Sequence, residues 1–411
     1  MKWILLGSTL IFSSSLFANT SPSISPRIVG GNDVSQVQPW MVSLQVPWQQ
    51  SYAHICGASL IAPQWVLSAA HCVEDLESNQ LFVRLGITDL KQQGELFTVD
   101  KIFSHEGYQS ANLSNDIALL HLARPSSATP LSLVEPIDFA QLPWQTPLQV
   151  LGWGATDSAG KEYGDLLQQV SLPYVDCTSY NVPAGVICAG GDEGKDACFG
   201  DSGGPLILRE PAGDVQVGLV SAGYGATCAE AGFEGGYTSV SYFSDWIART
   251  MQQAWLGDID LGNIIADEPY SFSVPLHNQT DQVITLNSVR TTSPAFQVQP
   301  DALGTQVLPN SVLNITIDYT PKIFVSSLPH RQSDVVTAYF AEDLDGDGQN
   351  DRASANLTLT LVASAVTTEP SPEPTSEPTI EPTVTSSSGG GSTSWLSLLW
   401  LALFVGYRSR S

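Results

Sequence analysis

Positive charge is scarce in this chain of 411 residues: 16 lysines and arginines stand against 41 aspartates and glutamates, for a formal net charge of −25. Such a surface repels polyanions, which argues against nucleic acid as a partner and fits an exported protein kept apart by self-repulsion. Cysteine is scarce too. Its six copies all fall between Cys56 and Cys228 and none forms a C-x-x-C pair, which argues against zinc-site or dithiol redox chemistry. An even set of this kind predicts three disulfides made in an oxidising compartment. Long apolar runs are also missing, because neither end of the chain reaches the roughly 20 residues of an ordinary membrane span. What is abundant is length, more than one core usually fills, so two domains with attachments are expected.

Both ends read as processing signals. Lys2, an apolar run from Trp3 to Phe12 and small residues to Ala18 predict a secretory signal over 1–18. Residues 19–27 are short, polar and proline-containing, and are expected to be a propeptide. Near the other end, 366–388 repeats Glu-Pro-Thr-like units, a composition that makes a stiff, unpacked linker. Gly389, Gly390 and Gly391 then precede a short apolar run, Trp395–Tyr407, and the basic terminus Arg408-Ser409-Arg410-Ser411. This order over 389–411 resembles a bacterial GlyGly-type C-terminal sorting tail. The resemblance implies transient inner-membrane association, removal by a rhomboid-type intramembrane protease, and a bacterial export system. It places the product outside the cell or on its surface, reached through the periplasm of a Gram-negative bacterium. A permanent membrane anchor is the alternative reading.

Between the ends lie two regions of different character. From Trp40 to about residue 240, short β-branched and aromatic runs such as Trp65–Ser68 and Leu96–Ile102 are broken by Gly, Pro, Asn and Asp, which predicts an all-β barrel or sandwich. Ser244–Trp255 carries apolar residues at helical spacing and is expected to be a helix. Residues 258–365 contain no cysteine and alternate apolar with polar in six or more segments, from Tyr270–Leu276 to Ala355–Val362; they read as an immunoglobulin-like β-sandwich. Within it Asp343, Asp345, Asp347 and Asp351 stand at positions 1, 3, 5 and 9 of a loop, the first part of a calcium-binding pattern. Ser354 occupies the place of the closing glutamate, so an acidic hairpin loop is an equal alternative.

The chemistry gathers in three stretches. Lys195-Asp196-Ala197-Cys198-Phe199-Gly200-Asp201-Ser202-Gly203-Gly204-Pro205 sets a serine among glycines and acids. Glycines there let a substrate approach the main chain closely. Leu67-Ser68-Ala69-Ala70-His71-Cys72 supplies a histidine, and Asn115-Asp116-Ile117-Ala118-Leu119-Leu120 supplies an aspartate leading into an apolar run. A serine hydroxyl is a poor nucleophile unless a base takes its proton, and imidazole titrates near neutrality. The chain order His, Asp, Ser and these motifs together resemble the trypsin/chymotrypsin family of serine endopeptidases over about residues 28–254.

The resemblance implies a fold of two six-stranded β-barrels in a protease domain, 28–255, with Ser202 as nucleophile, His71 as base and Asp116 as its orienting acid. It implies an oxyanion hole of the Gly200 and Ser202 N–H groups, and disulfides Cys56–Cys72, Cys177–Cys188 and Cys198–Cys228. Asp196, six residues before the serine, matches the pocket acid of trypsin-type members, with Ser221, Gly223 and Gly235 on the substrate-binding walls. Arg27-Ile28-Val29-Gly30-Gly31 matches the activation site, at which cleavage after Arg27 frees the Ile28 amine to pair with Asp201. Two departures stand out. Ala222 replaces the usual rim tryptophan, and Ile87 replaces a calcium-ligating glutamate, so no calcium is expected in the protease barrels. The implied product is a secreted zymogen that cuts protein substrates after Arg or Lys and needs no cofactor for catalysis. A pseudoprotease adhesin, binding through its sandwich, is the rival of another class.

Overall fold

The computed structural model describes residues 28–135, 142–177, 181–265, 268–320, 329–344 and 351–362. The expected signal, propeptide, linker and tail lie outside these residues.

The described residues open with the short strand β1 (Asn32–Asp33) and then build a barrel from β2 (Met41–Trp48), β3 (Ser51–Ala62), β4 (Trp65–Ser68), β5 (Phe82–Leu85), β6 (Glu95–Ser104) and β7 (Ala118–Leu122). It closes in the order β2-β3-β4-β7-β6-β5. The four residues of β4 and all five of β7 are buried, which is why their sequences read as mostly apolar, with Ser68 and His121 the exceptions, rather than alternating. After β8 (Ser132–Leu133) a second ring forms from β9 (Pro147–Gly152), β10 (Gln168–Val175), β11 (Val186–Gly190), β12 (Pro205–Glu210), β13 (Gly213–Gly223) and β14 (Glu234–Ser239). Its order is β10-β11-β14-β13-β12-β9, and a β9–β10 pairing closes it. Closing a sheet leaves no unpaired edge. One contiguous apolar core runs through both barrels.

All three expected disulfides form: Cys56–Cys72, Cys177–Cys188 and Cys198–Cys228. The helix α1 spans Ser244–Met251. It is shorter than the expected Ser244–Trp255, because Ala254–Leu256 leave the helical path to form strand β15. Tertiary pairing overrides the helical spacing there: Trp255 is β-prone and finds a partner strand.

β15 opens the sandwich, which continues with β16 (Ile259–Ile265), β17 (Tyr270–Asn278), β18 (Ile284–Thr291), β19 (Phe296–Val298), β20 (Gln306–Val307), β21 (Ser311–Tyr319), β22 (His330–Phe340) and β23 (Arg352–Val362). One sheet runs β15-β17-β21-β19 and the other β16-β23-β22-β18-β20. The burial patterns of β17 and β21 alternate, as strands with one face on a core must. A second apolar core, which includes Val274, Ile315, Ile317, Val336 and Leu357, fills the space between the sheets.

Candidate active site

His71 and Asp116 come from the two strands that lie side by side in the first barrel. β4 ends at Ser68 and is followed by a single 3-10 turn, Ala70–Cys72, which the Cys56–Cys72 bridge ties back to β3. Asp116 stands two residues before β7. His71 Nδ1 lies 2.8 Å from Asp116 Oδ2, and the His71 backbone N–H donates to Asp116 Oδ1 at 2.9 Å. Two-point attachment fixes both the ring and its backbone, and a carboxylate on Nδ1 selects the tautomer whose Nε2 can accept a proton. The second barrel also holds Asp116. Ser221 Oγ donates to Asp116 Oδ2 at 2.5 Å, and Thr238 Oγ1 donates to the Asp116 carbonyl at 2.9 Å. Asp116 is fully buried. The sulfurs beside His71 belong to the Cys56–Cys72 bridge, so they offer no thiolate to a metal.

The segment carrying Ser202 is pressed onto the end of β4. The Ser202 carbonyl accepts from Gly57 N–H at 2.8 Å. Gly203 has φ +72°, and a Cβ there would lie 2.1 Å from Ser68 Oγ, so only glycine fits at 203, against the end of the strand that leads to His71. Asp201 is fully buried and accepts from Gly154 N–H and Cys198 N–H, each at 2.8 Å. Burial pushes its carboxyl up to about 7, against the lowering effect of these two donors. Residues Gly152 and Gly154 were not singled out from the sequence. A Cβ on either would run into the Asp201 carboxylate. Ile28 is fully buried, and the Val29 carbonyl accepts from the Asp196 N–H at 3.3 Å, so residues 28–31 pack on the loop that leads to Ser202.

Beside Ser202 opens a cavity of about 190 Å³, lined among others by Asp196, Ser202, Ser221, Gly223, Gly235 and Tyr237. The Cys198–Cys228 bridge joins two of its walls. Asp196 is 7% exposed and accepts from Ala197 N–H at 2.8 Å and Ala229 N–H at 3.5 Å. Burial pushes its carboxyl up to about 6. Among the described residues no cationic side chain pairs with it. A Cβ on Gly235 would stand 3.1 Å from Asp196 Oδ1, which shows how little a wall side chain could be tolerated. At the rim, Ala222 pairs with Gly236 across β13 and β14, and the Tyr224 ring lies over Gly236.

His54, which no sequence motif surrounds, also lies at the site. Its Nε2 lies 3.0 Å from the Gly200 carbonyl and its Nδ1 lies 2.8 Å from Ser43 Oγ. Burial holds the ring down at about 4, so it is neutral near pH 7, with Nε2–H donating to Gly200 and Nδ1 accepting from Ser43. Of the expected calcium ligands, Asp345 and Asp347 lie outside the described residues, while the Asp351 carboxylate accepts from Leu344 N–H. Ile87 is fully buried in the first core. Among the described residues no helix is long and apolar enough to cross a membrane.

Comparison with known proteins gives one pattern. The family model described as Trypsin matches residues 28–247. A trypsin of Phaedon cochleariae is 37% identical over 252 residues, covering 56% of this chain and 92% of its own length. Chymotrypsin-C of Bos taurus is 37% identical over 248 residues, covering 56% and 91%. Among solved structures, the Vibrio cholerae VesB protease superposes with a TM-score of 0.53 at 26% identity, over 81% of this chain and 100% of that one.

The link from His54 to the Gly200 carbonyl gives the first prediction. His54→Ala should slow labelling of Ser202 by a fluorophosphonate roughly fivefold, the rate equivalent of one net hydrogen bond of about 1 kcal/mol. Equal labelling rates at pH 7 would detach His54 from the site.

Proposed function

The chain belongs to the trypsin family of serine proteases, and on that premise we propose that it is a secreted endopeptidase that cuts proteins after arginine or lysine and is activated by cleavage after Arg27. The observation that carries the specificity is the buried Asp196 at the base of a cavity opening beside Ser202. An ionised carboxylate in such a place is costly without a cation, and a substrate guanidinium or ammonium provides one. Ser202 lines the same cavity, so the bond it attacks lies next to the bound basic residue.

In this reading Ser202 Oγ attacks the scissile carbonyl while His71 Nε2 takes its proton. Asp116 holds Nδ1–H and stabilises the imidazolium. The N–H groups of Gly200 and Ser202 donate to the oxyanion, and losing one such donor typically costs about 3 kcal/mol of transition-state stabilisation. His71 returns the proton to the leaving amine, water repeats the attack on the acyl-enzyme, and Ser202 is regenerated. No cofactor enters.

Activation rests on Asp201. With a carboxyl raised by burial, the fold favours its protonated form; that stability is full below the ordinary carboxylate pKa and is lost as pH rises through about 7. A freed Ile28 amine beside it would reverse the balance by favouring the ionised form. The close packing of 28–31 on the Asp196 loop supports this route. The sorting tail belongs to the same proposal: helix-weakening glycines before a short apolar run loosen the peptide bonds that an intramembrane protease must reach.

Four outcomes are expected. Asp196→Ser should abolish the preference for Arg and Lys in a peptide-library profile while Ser202 still reacts with fluorophosphonate; unchanged Arg cleavage would move the specificity elsewhere. Benzamidine, a cationic arginine mimic, should bind about tenfold more weakly for each pH unit below about 6, as Asp196 takes up its proton, and a flat affinity between pH 5 and 8 would contradict this. Arg27→Gln should leave the precursor nearly inactive. Mass spectrometry of the exported wild-type protein should find a start at Ile28 and an end near Ser388–Ser392; recovery of the 395–407 peptide would mean a permanent anchor.

A further inference from the structure

The sandwich is joined to the protease with almost no tether. Only Gln252 and Gln253 separate the end of α1 from β15. Side chains alternate along β15, so that Leu256 enters the sandwich core while Trp255 turns the other way, onto the first barrel. There its ring is 2% exposed, lies edge-on to Phe103 at 5.8 Å and packs against His121 at 4.6 Å. The other side of the indole is stacked on His277, its cross-strand partner on β17, at 3.8 Å and 4°. Burial holds His277 down at about 4, so the stack is uncharged at neutral pH. Trp255 Nε1 has no hydrogen-bond partner among the described residues, so packing alone keeps the ring there.

Polar contacts fix the same joint. His121 Nδ1 is 2.8 Å from Asp100 Oδ1, and the Asp100 carbonyl accepts from Asp258 N–H at 3.1 Å. Lys101 Nζ pairs with Asp258 at 2.8 Å, with both side chains mostly buried, and also donates to the Ser354 carbonyl. Asp258 in turn accepts from the Asn356 N–H. At the edge, Arg331 pairs with Glu77 and Asn79 donates to Asp260.

Strand register shows what this joint holds. Trp65 on β4, His121 on β7 and Lys101 on β6 form one cross-strand row, and Trp65 packs edge-on to His121 at 4.9 Å. Three residues along, about 10 Å at strand spacing, Ser68, Ala118 and Ser104 form another. The second row adjoins the chemistry, since β4 runs on to His71 and β7 follows Asp116. The sandwich therefore packs on β6 and β7 through Phe103 and His121 and reaches β4 through the Trp65–His121 contact, and it is β4 and β7 whose other ends carry the His71–Asp116 pair.

We propose that the sandwich is a positioning part of the protease, with Trp255 and His277 as the residues that hold β7 directly at His121, and β4 through Trp65, and so set the spacing of His71 and Asp116. The proposal rests on the assignment of those two residues to the proton transfer. It predicts a selective defect. The substrate pocket is built by the second barrel, which the Trp255 clamp does not touch, so binding should survive when turnover falls.

The test uses the full-length activated enzyme, normalised by active-site titration. Trp255→Ala and His277→Ala should each lower kcat on an arginine anilide tenfold or more, with KM and benzamidine affinity within twofold of the parent. His277→Phe keeps a flat ring against the indole and should recover most of the rate. If Trp255→Ala does not fold, the two His277 variants decide. A lowered melting temperature with unchanged kcat per titrated site would overturn the proposal, leaving the sandwich a stabiliser only. Equal losses in kcat and in benzamidine affinity would overturn it too, as general loosening. A Ser202→Ala control separates the two levels: residual turnover in that variant would refute the underlying mechanism, whatever the clamp does.

Discussion

The carboxylate of Asp116 is where the two barrels become one site. It belongs to the first barrel and holds His71 through two bonds, yet it also accepts from Ser221 on a strand of the second. Its own carbonyl is bonded by Thr238, again from the second barrel. A fully buried carboxylate must have its lone pairs filled, because the low-dielectric interior makes any unfilled one expensive. Satisfying this one group therefore fixes the cleft: neither barrel can shift against the other without stripping a donor from it. The role expected for Ser221, on the substrate wall, gains a second aspect, since its hydroxyl also anchors the acid behind His71.

Two other buried carboxylates show the opposite condition. Asp116 has donors on every side, whereas Asp196 and Asp201 have two backbone N–H groups each and burial raises both. Under linkage, each costs stability as pH rises through its raised pKa and gives that cost back to any cation that arrives. The same physics would serve two ends, selecting a basic substrate side chain at Asp196 and rewarding a freed amine at Asp201. The glycines at 152 and 154 belong to this arrangement, because only a missing Cβ lets the backbone reach the Asp201 carboxylate.

The sandwich extends this logic away from the cleft. It has an apolar core of its own, yet it meets the first barrel through a stacked indole and a mostly buried ion pair. Exposed ion pairs contribute little, but one held at a packed joint between two rigid bodies fixes their register.

The sequence by itself determined the parts that are local. Ala-Ala-His-Cys around His71, Gly-Asp-Ser-Gly-Gly-Pro around Ser202 and the apolar run after Asp116 are each a few residues long, and a turn or strand end can be read from such a window. The three disulfides and the two-barrel fold followed from the family these motifs resemble, and the sandwich from alternation in β17 and β21. What the tertiary structure alone decided lies between distant residues. Ser221 and Asp116 are 105 positions apart, His54 and Gly200 are 146 apart, and neither pair leaves a local signature. Trp255 shows the same limit from the other side. Its place four residues after Met251 fits a helix, and only the presence of β17 alongside made it a strand. A window of sequence records what a residue is able to do next to its neighbours; which distant surface will bury it is settled only when the chain has closed.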